Sequence, residues 1–298
     1  MRRPRLELVK EEVFSFFDAQ GHRVFTQAQL NELLAQQRDT WKLPKNTTLS
    51  GFVDFLLREK KLWMQRFNFS FRPVTLFFWG EVTVYEIAMS LRPLGYLSHL
   101  SAMSFHGLTV AKNSRIIYVN DEQEPKPQNT GSLEQGRIDA AFSRRARVSN
   151  NKVTAGDYIF YLLSGKNTGR LGVIEKEVAS LVVRVTDIER TLIDAVVRPA
   201  YSGSIHGVLE AYRRAADRVN VSRLVELLQQ LQYIYPYHQA IGFYLDRSGA
   251  YSSSSIKLLR DIPQQFDFYL DYEMVDMSYS EEWKLYYPSY LNQHKKLG

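Results

Sequence analysis

The sequence contains no cysteine among its 298 residues and only six histidines. The absence of cysteine excludes disulfide bonds, thiolate nucleophiles and zinc sites built from cysteine. No two histidines are separated by three residues, the spacing at which one helix presents two imidazoles to a metal ion. We therefore expect neither a bound metal nor another cofactor.

Long apolar runs are also missing. No stretch approaches the ~18 consecutive apolar residues that a membrane helix needs. The basic N-terminus acquires acidic residues before a signal-like apolar segment forms. We expect a cytoplasmic protein with no membrane partner. Hydrophobic residues nonetheless make up 45% of the chain and aromatic residues 13%, which is ample for the cores of two folded domains.

Positive charge is concentrated near the N-terminus. The chain has a net charge of +6, and residues 1–75 hold thirteen Lys and Arg against eight Asp and Glu. Five of the six surplus charges therefore lie in the first quarter of the sequence. A basic N-terminal module on a nearly neutral body favours a polyanionic partner, most simply nucleic acid. A chance imbalance is the alternative, since a surplus of five is not extreme.

The first 80 residues show the pattern of three helices followed by two strands. Apolar residues recur at helical spacing over residues 6–20, Thr26 is an N-cap for a second helix, and a third begins near Thr47. A short strand is predicted at residues 24–25, and "LWMQRF" and "FRPVTLFFW" form a strand pair. This is the order of a winged helix-turn-helix, whose third helix enters the DNA major groove while the hairpin, or wing, contacts the backbone.

The third helix and the wing would supply the DNA contacts. Hydroxyls and asparagine meet base edges or phosphates, whereas lysine and arginine mainly give salt-sensitive, sequence-independent attraction. The predicted DNA-binding residues are Lys45, Thr47, Thr48, Ser50, Arg58, Lys60, Lys61, Arg66, Asn68 and Arg72. Gly51 is unfavourable in a helix interior by about 1 kcal/mol, unless the helix begins later or the glycine permits close approach of a partner.

Beyond Gly80 the pattern mixes helices and strands, which predicts an α+β fold. Helices are predicted in "VYEIAMSLRP" and "SHLSAMSFHGL", and strands in "RIIYVN", "YIFYLL", "LGVIEKEV" and "LVVRVT". Residues 121–152 are predicted to form a polar loop or insertion. Near its end lie Arg144, Arg145 and Arg147, which are candidate secondary phosphate contacts. A solvated basic loop is the alternative.

The stretch "TDIERTLIDAVVRPAY", residues 186–201, predicts a helix with defined ends. Thr186 and Glu189 have the T-x-x-E spacing of a capping box, and Pro199 ends the helix because the residue before a proline leaves the α region. Its apolar residues follow helical spacing. We expect its charges, including Asp187, Arg190 and Asp194, to lie on a solvated outer face.

Three segments resemble the AbiEi family, the antitoxins and transcriptional regulators of bacterial type IV toxin–antitoxin systems linked to phage defence. They are "GYLSHLSAMSFHGLT" (residues 95–109), "VVRVTDIERTLIDAVVRPAYSG" (182–203) and "IGFYLDRSGAY" (241–251). With the predicted winged helix ahead of them, the resemblance spans most of the chain. The V-T-D-x-E-R-T-L-x-D block is its most specific element. Residues 121–152 are longer and more polar than the family pattern, and the wing lacks the glycine-rich turn of many members.

The resemblance implies a division of labour. Residues 1–80 would be a winged helix-turn-helix that binds the operator in the chain's own promoter and represses its operon. Residues 81–298 would be a mixed α/β antitoxin-type domain that counteracts an AbiEii-type nucleotidyltransferase toxin. No catalytic residue is expected, and the helix of residues 186–198 would be scaffold.

Two alternatives come from other functional classes. A DNA-binding nuclease of a phage-defence system would need a carboxylate site, for which Asp157, Glu175 and Glu177 are the candidates. However, Lys176 alternates to the opposite face of the strand from both glutamates. His106 is expected to end a helix rather than to catalyse. The second alternative is a protein-interaction regulator that does not bind DNA.

Overall fold

The computed structural model describes residues 4–110, 114–124, 132–178 and 181–296, and the fold is mixed α+β. The α-helices of this part of the chain are α1 (Arg5–Leu8), α2 (Lys10–Asp18), α3 (Gln27–Gln37), α4 (Leu49–Arg58), α5 (Val84–Leu91), α6 (His99–Phe105), α7 (Gln135–Phe142), α8 (Ile188–Val197), α9 (Ser204–Ala215), α10 (Val221–Leu231), α11 (Tyr237–Ser248) and α12 (Ser253–Arg260). None of the helices within these ranges is long and apolar enough to cross a membrane.

Within the described ranges the strands form three separate sheets. They are β1 (Val24–Phe25), β2 (Leu62–Phe67), β3 (Val74–Trp79), β4 (Tyr96–Leu97), β5 (Ile116–Glu122), β6 (Lys152–Ala155), β7 (Tyr158–Gly165), β8 (Val173–Val178), β9 (Leu181–Thr186), β10 (Phe268–Tyr269), β11 (Met277–Ser280) and β12 (Leu285–Pro288). The spatial orders are β1-β3-β2, β6-β7-β5-β4-β9-β8 and β10-β12-β11. The described residues also contain two 3₁₀ helices, Pro199–Tyr201 and Ser289–Lys296.

The N-terminal sheet lies between two hydrophobic cores. β3 alternates its side chains, so that Phe77 and Trp79 pack with helices α2, α3 and α4, while Leu76 and Phe78 face the other way. This second face is covered by α5 and the six-stranded sheet, whose residues share a core with Phe78. The N-terminal helices are thus joined to the rest of the molecule through a sheet whose central strand, β3, has buried side chains on both faces.

The six-stranded sheet is mixed. β5 pairs in parallel with β7, and β4 in parallel with β9, while the other neighbouring pairs are antiparallel. Helices α8 to α12 build the largest core together with the C-terminal three-stranded sheet. Residues 121–152, predicted to be a polar loop, contain α7, whose Ile138 and Phe142 are buried. Part of the predicted insertion, residues 125–131, lies outside the described residues.

The predicted capping box of α8 is wrong. β9 continues through Thr186, which is buried, and its hydroxyl lies 2.8 Å from that of Thr191. The N-cap is Asp187, whose carboxylate accepts a bond of 2.8 Å from the backbone N–H of Arg190. The helix therefore begins one residue later than predicted, because the strand retains the threonine.

Candidate nucleic-acid interface

Helix α4 begins at a capped turn. The hydroxyl of Thr48 accepts a 3.1 Å bond from the backbone N–H of Gly51, and Thr47 precedes the helix, where its carbonyl accepts a bond from Arg38. The prediction that Thr47 and Thr48 line the exposed helix face is therefore corrected, since one precedes the helix and the other caps it. Gly51 lies in the first turn, so the cost of an interior glycine is avoided.

The outward face of α4 is a polar line two turns long. Ser50, Asp54 and Arg58 are exposed and follow one another at a spacing of four residues. The opposite face, including Phe52 and Phe55, is buried against the neighbouring helices. Ser50 donates a long bond of 3.4 Å to Asp54. The helix thus exposes a hydroxyl, a carboxylate and a guanidinium in a row.

The predicted lysines lie at the two ends of α4. Lys45 is exposed in the loop that precedes the helix, and Lys60 and Lys61 are exposed in the turn that follows it. Lys60 has a left-handed φ of 54°. The ammonium group of Lys61 lies 5.3 Å from the centre of the Phe14 ring, a cation–π contact that holds it against the helical core. Two of the three lysines are thereby left without such a restraint.

The hairpin of β2 and β3 carries the other predicted contacts. Residues 68–73, which we call the hairpin loop, connect the two strands. Arg66, Asn68 and Arg72 are exposed, as a wing requires. Phe69 is buried, however, in the core shared with the six-stranded sheet. One side of the hairpin loop therefore faces solvent, while the other packs on the C-terminal part of the chain.

The second predicted basic cluster lies beside this hairpin loop. We call residues 143–150, between α7 and β6, the arginine loop. Its Arg144, Arg145 and Arg147 are exposed, and its last residue, Asn150, accepts a 3.0 Å bond from the Ser70 hydroxyl through its backbone carbonyl. The two basic segments, 80 positions apart in sequence, meet at this bond.

Most of the exposed cations in these segments have no ion-pair partner in the described part of the chain. Arg58 lies 3.9 Å from Glu7. Among the described residues, no acidic side chain forms an ion pair with any of the others, which are Lys45, Lys60, Lys61, Arg66, Arg72, Arg144, Arg145 and Arg147. Exposed cations without internal partners remain available to an anionic ligand.

Sequence reasoning missed a buried charge network on α8. Arg190 and Asp194 form an ion pair of 2.8 Å, with side chains only 3% and 6% exposed. Asp187 is also buried, and its carboxylate accepts a bond of 2.5 Å from the guanidinium of Arg223 on α10. Glu189 accepts a bond from the backbone N–H of Asn220. The predicted solvated face of α8 is therefore wrong, because neighbouring helices cover it.

The environment shifts the protonation of this network. Burial raises the pKa of Asp187, although the Arg190 N–H and Arg223 oppose the shift. Burial disfavours the charged form of Arg190, but the attraction of the Asp194 carboxylate and smaller contributions from other neighbouring groups together have the stronger effect. The pKa of this guanidinium therefore lies above its ordinary range. No proton transfer or ligand contact is indicated by these bonds. The network fixes α8 between β9 and α10, a structural role.

The candidate nuclease carboxylates are not brought together. Asp157 precedes β7, whereas Glu175 and Glu177 lie on β8, and three strands separate β7 from β8 in the sheet. No group of three potential metal-ligating side chains occurs within the described ranges. His106 is the C-cap of α6, and its Nε2 donates to the carbonyl of Thr186 at 2.6 Å. Burial lowers its pKa, which favours the neutral ring.

The chain resembles a solved structure in its fold. No protein-family model matches the chain, and no curated protein matches its sequence. The crystal structure of the RV2827C protein from Mycobacterium tuberculosis is similar, with a TM-score of 0.57 and 15% sequence identity, covering 96% of this chain and 92% of that one. At this identity the similarity concerns the fold, which the two chains share over nearly their full lengths.

Proposed function

We propose that the chain is a DNA-binding transcriptional autorepressor and the antitoxin of a type IV toxin–antitoxin system. In this proposal residues 1–80 act as a winged helix-turn-helix on the operator of the chain's own promoter. The order of α2, β1, α3, α4, β2 and β3 matches that motif, as does the β1-β3-β2 sheet. Residues 81–298 act as the antitoxin-type domain.

The observation that carries the DNA-binding proposal is the face of α4. Four buried apolar residues anchor one side of α4 in the core. The opposite side exposes Ser50, Asp54 and Arg58 to solvent beside a basic hairpin. Such a helix fits the major groove, where serine meets either base edge or phosphate, aspartate accepts from cytosine N4, and arginine reads guanine. Arg66 and Arg72 would contact the flanking backbone.

Binding of double-stranded DNA is tested by titrating the protein against its own promoter and a scrambled duplex of equal length. Ser50→Ala should change the ratio of the two affinities, because it removes a group facing the bases. Arg66→Ala should weaken both complexes alike and reduce the salt slope by about 0.9, the value for one phosphate contact. Arg213→Ala, an exposed site on α9, is the matched charge control. Equal effects of Arg66→Ala and Arg213→Ala would contradict the docking proposal.

The antitoxin half is supported by how the family-like segments pack. β4 and α6 fall within residues 95–109, most of β9 and all of α8 within 182–203, and most of α11 within 241–251. α8 contacts α6 and α11, and β4 pairs with β9, so the three segments form one continuous unit. A domain that binds a toxin requires such segments to form one folded unit.

The antitoxin role is tested in cells that express the proposed AbiEii-type nucleotidyltransferase toxin. Co-expression of this chain should restore growth. The Arg66→Ala variant should also restore growth when expressed from a foreign promoter, because Arg66 lies on β2, outside the antitoxin-type domain. Continued growth arrest with the wild-type chain would refute the antitoxin proposal without touching the DNA-binding one.

A further inference from the structure

The hairpin loop has a fixed position on the C-terminal part of the molecule. Phe67 at the end of β2 meets Phe160 of β7 edge-to-face, with ring centres 5.9 Å apart. Phe69 is only 6% exposed in the same core, and Ser70 bonds to Asn150. Burial of two aromatic rings is a substantial restraint. A duplex held by this loop therefore has a defined relation to residues 150–160.

The arginine loop is anchored at both ends. Phe142, immediately before it, is buried in the largest core. At the other end the backbone N–H of Ser149 donates to the Tyr201 hydroxyl at 2.7 Å, and the carbonyl of Asn151 accepts from Leu162 at 2.9 Å. The backbone is thus held in place, while the three arginine side chains remain in solvent.

The two loops are close enough to contact one stretch of duplex. Arg72 is two residues from Ser70, and Arg147 is three residues from Asn150. Since each residue spans at most ~3.6 Å, the Cα atoms of Arg72 and Arg147 lie no more than about 25 Å apart. One turn of B-DNA is about 34 Å long. Both arginines therefore fall within the length of a single turn.

We propose that Arg144, Arg145 and Arg147 bind the phosphate backbone of the same duplex that the hairpin contacts. This inference rests on the proposed DNA-binding function and extends it, because the interface then includes the C-terminal part of the chain. Among the described residues no carboxylate pairs with these three arginines. Guanidinium groups suit phosphate oxygens, which they bind through two parallel N–H bonds.

The structure predicts a footprint in two parts. One part is centred on α4 and the hairpin, and the other is a flanking backbone segment covered by the arginine loop. The flanking contacts are to phosphate, so they carry no base preference. They lengthen the protected region on the hairpin side and raise the salt dependence of binding to any sequence.

The test is a salt titration of promoter binding combined with hydroxyl-radical footprinting. The triple variant Arg144→Ala, Arg145→Ala, Arg147→Ala should flatten the slope of log K against log[salt] by up to about 2.7, and weaken binding roughly tenfold or more at low salt. It should lose the flanking protection only. A triple Arg→Lys variant at the same positions should retain most of the slope, because the charges remain.

A matched control removes the same charge elsewhere. Arg213→Ala, Arg214→Ala and Lys257→Ala together alter the exposed surfaces of α9 and α12 and should leave the footprint unchanged. If the wild-type chain binds the promoter and the arginine-loop variant has the same slope and footprint, the inference is overturned while the proposed function stands. If the wild-type chain binds no duplex, the proposed function itself fails.

Discussion

Replacing Asp194 by alanine leaves a buried guanidinium without its carboxylate. The Arg190 Nε lies 2.8 Å from Asp194 Oδ1, and both side chains are almost fully removed from solvent. The remaining strong bond of Arg190, to the carbonyl of Leu171 at 2.7 Å, is to an uncharged acceptor. The variant therefore retains a desolvated positive charge that the wild type compensates.

The cost follows from the burial of that charge. Removing one partner of a buried ion pair destabilises a protein by about 3–5 kcal/mol. At roughly 2–4 °C per kcal/mol for a chain of this order of size, a loss of about 4 kcal/mol lowers Tm by roughly 8–16 °C. The double variant Arg190→Met, Asp194→Leu should be much less affected, because no unpaired charge remains inside.

Thermal unfolding followed by circular dichroism measures both variants. Asp217→Ala is the matched control, since that side chain is 85% exposed and should shift the free energy of unfolding by no more than about 0.5 kcal/mol. A Tm for Asp194→Ala within about 2 °C of the wild type would refute the conclusion that the buried pair holds α8 in place.

Three further predictions concern stability. Burial lowers the pKa of His99 to about 4. The unfolded chain therefore binds a proton that the folded chain does not, and the free energy of unfolding falls by about 3 kcal/mol as the pH drops from ~6.5 toward 4. His99→Asn should make the free energy of unfolding less dependent on pH in denaturation experiments, and an unchanged pH dependence would show that His99 is not its source. Thr48→Ala should cost about 1 kcal/mol in urea unfolding through loss of the α4 cap, whereas Thr48→Ser should not. In Gly242→Ala the new Cβ would lie 2.0 Å from the buried Trp283 ring, so we expect a loss of about 1–3 kcal/mol, and wild-type stability would contradict the packing described.

Local signals sufficed for much of the N-terminal structure. Thr26 was predicted as an N-cap, and its capping box with Gln29 is present. The apolar spacing of α4 and the strand pair predicted in "LWMQRF" and "FRPVTLFFW" correspond to elements that the structure contains. These features depend on residues only a few positions apart, so a short stretch of sequence is enough to predict them.

Contacts between distant segments were beyond sequence reasoning. The charges on α8 resemble an ordinary solvated face, and the groups that bind them, such as the Leu171 carbonyl and Arg223 on α10, lie 19 and 36 residues away along the chain. Likewise, nothing near Ser70 or Asn150 indicates that their loops meet. The position of the arginine loop beside the hairpin was therefore not predictable, although each basic segment was recognised separately.

The DNA-binding proposal is tested most directly by titrating the purified chain against its own promoter and a scrambled duplex at two salt concentrations. We predict tighter binding to the promoter, and the binding should weaken as salt rises because phosphate contacts release counterions. Equal affinity for the two duplexes, or no binding to either, would contradict the assignment of α4 and the hairpin as an operator-reading surface.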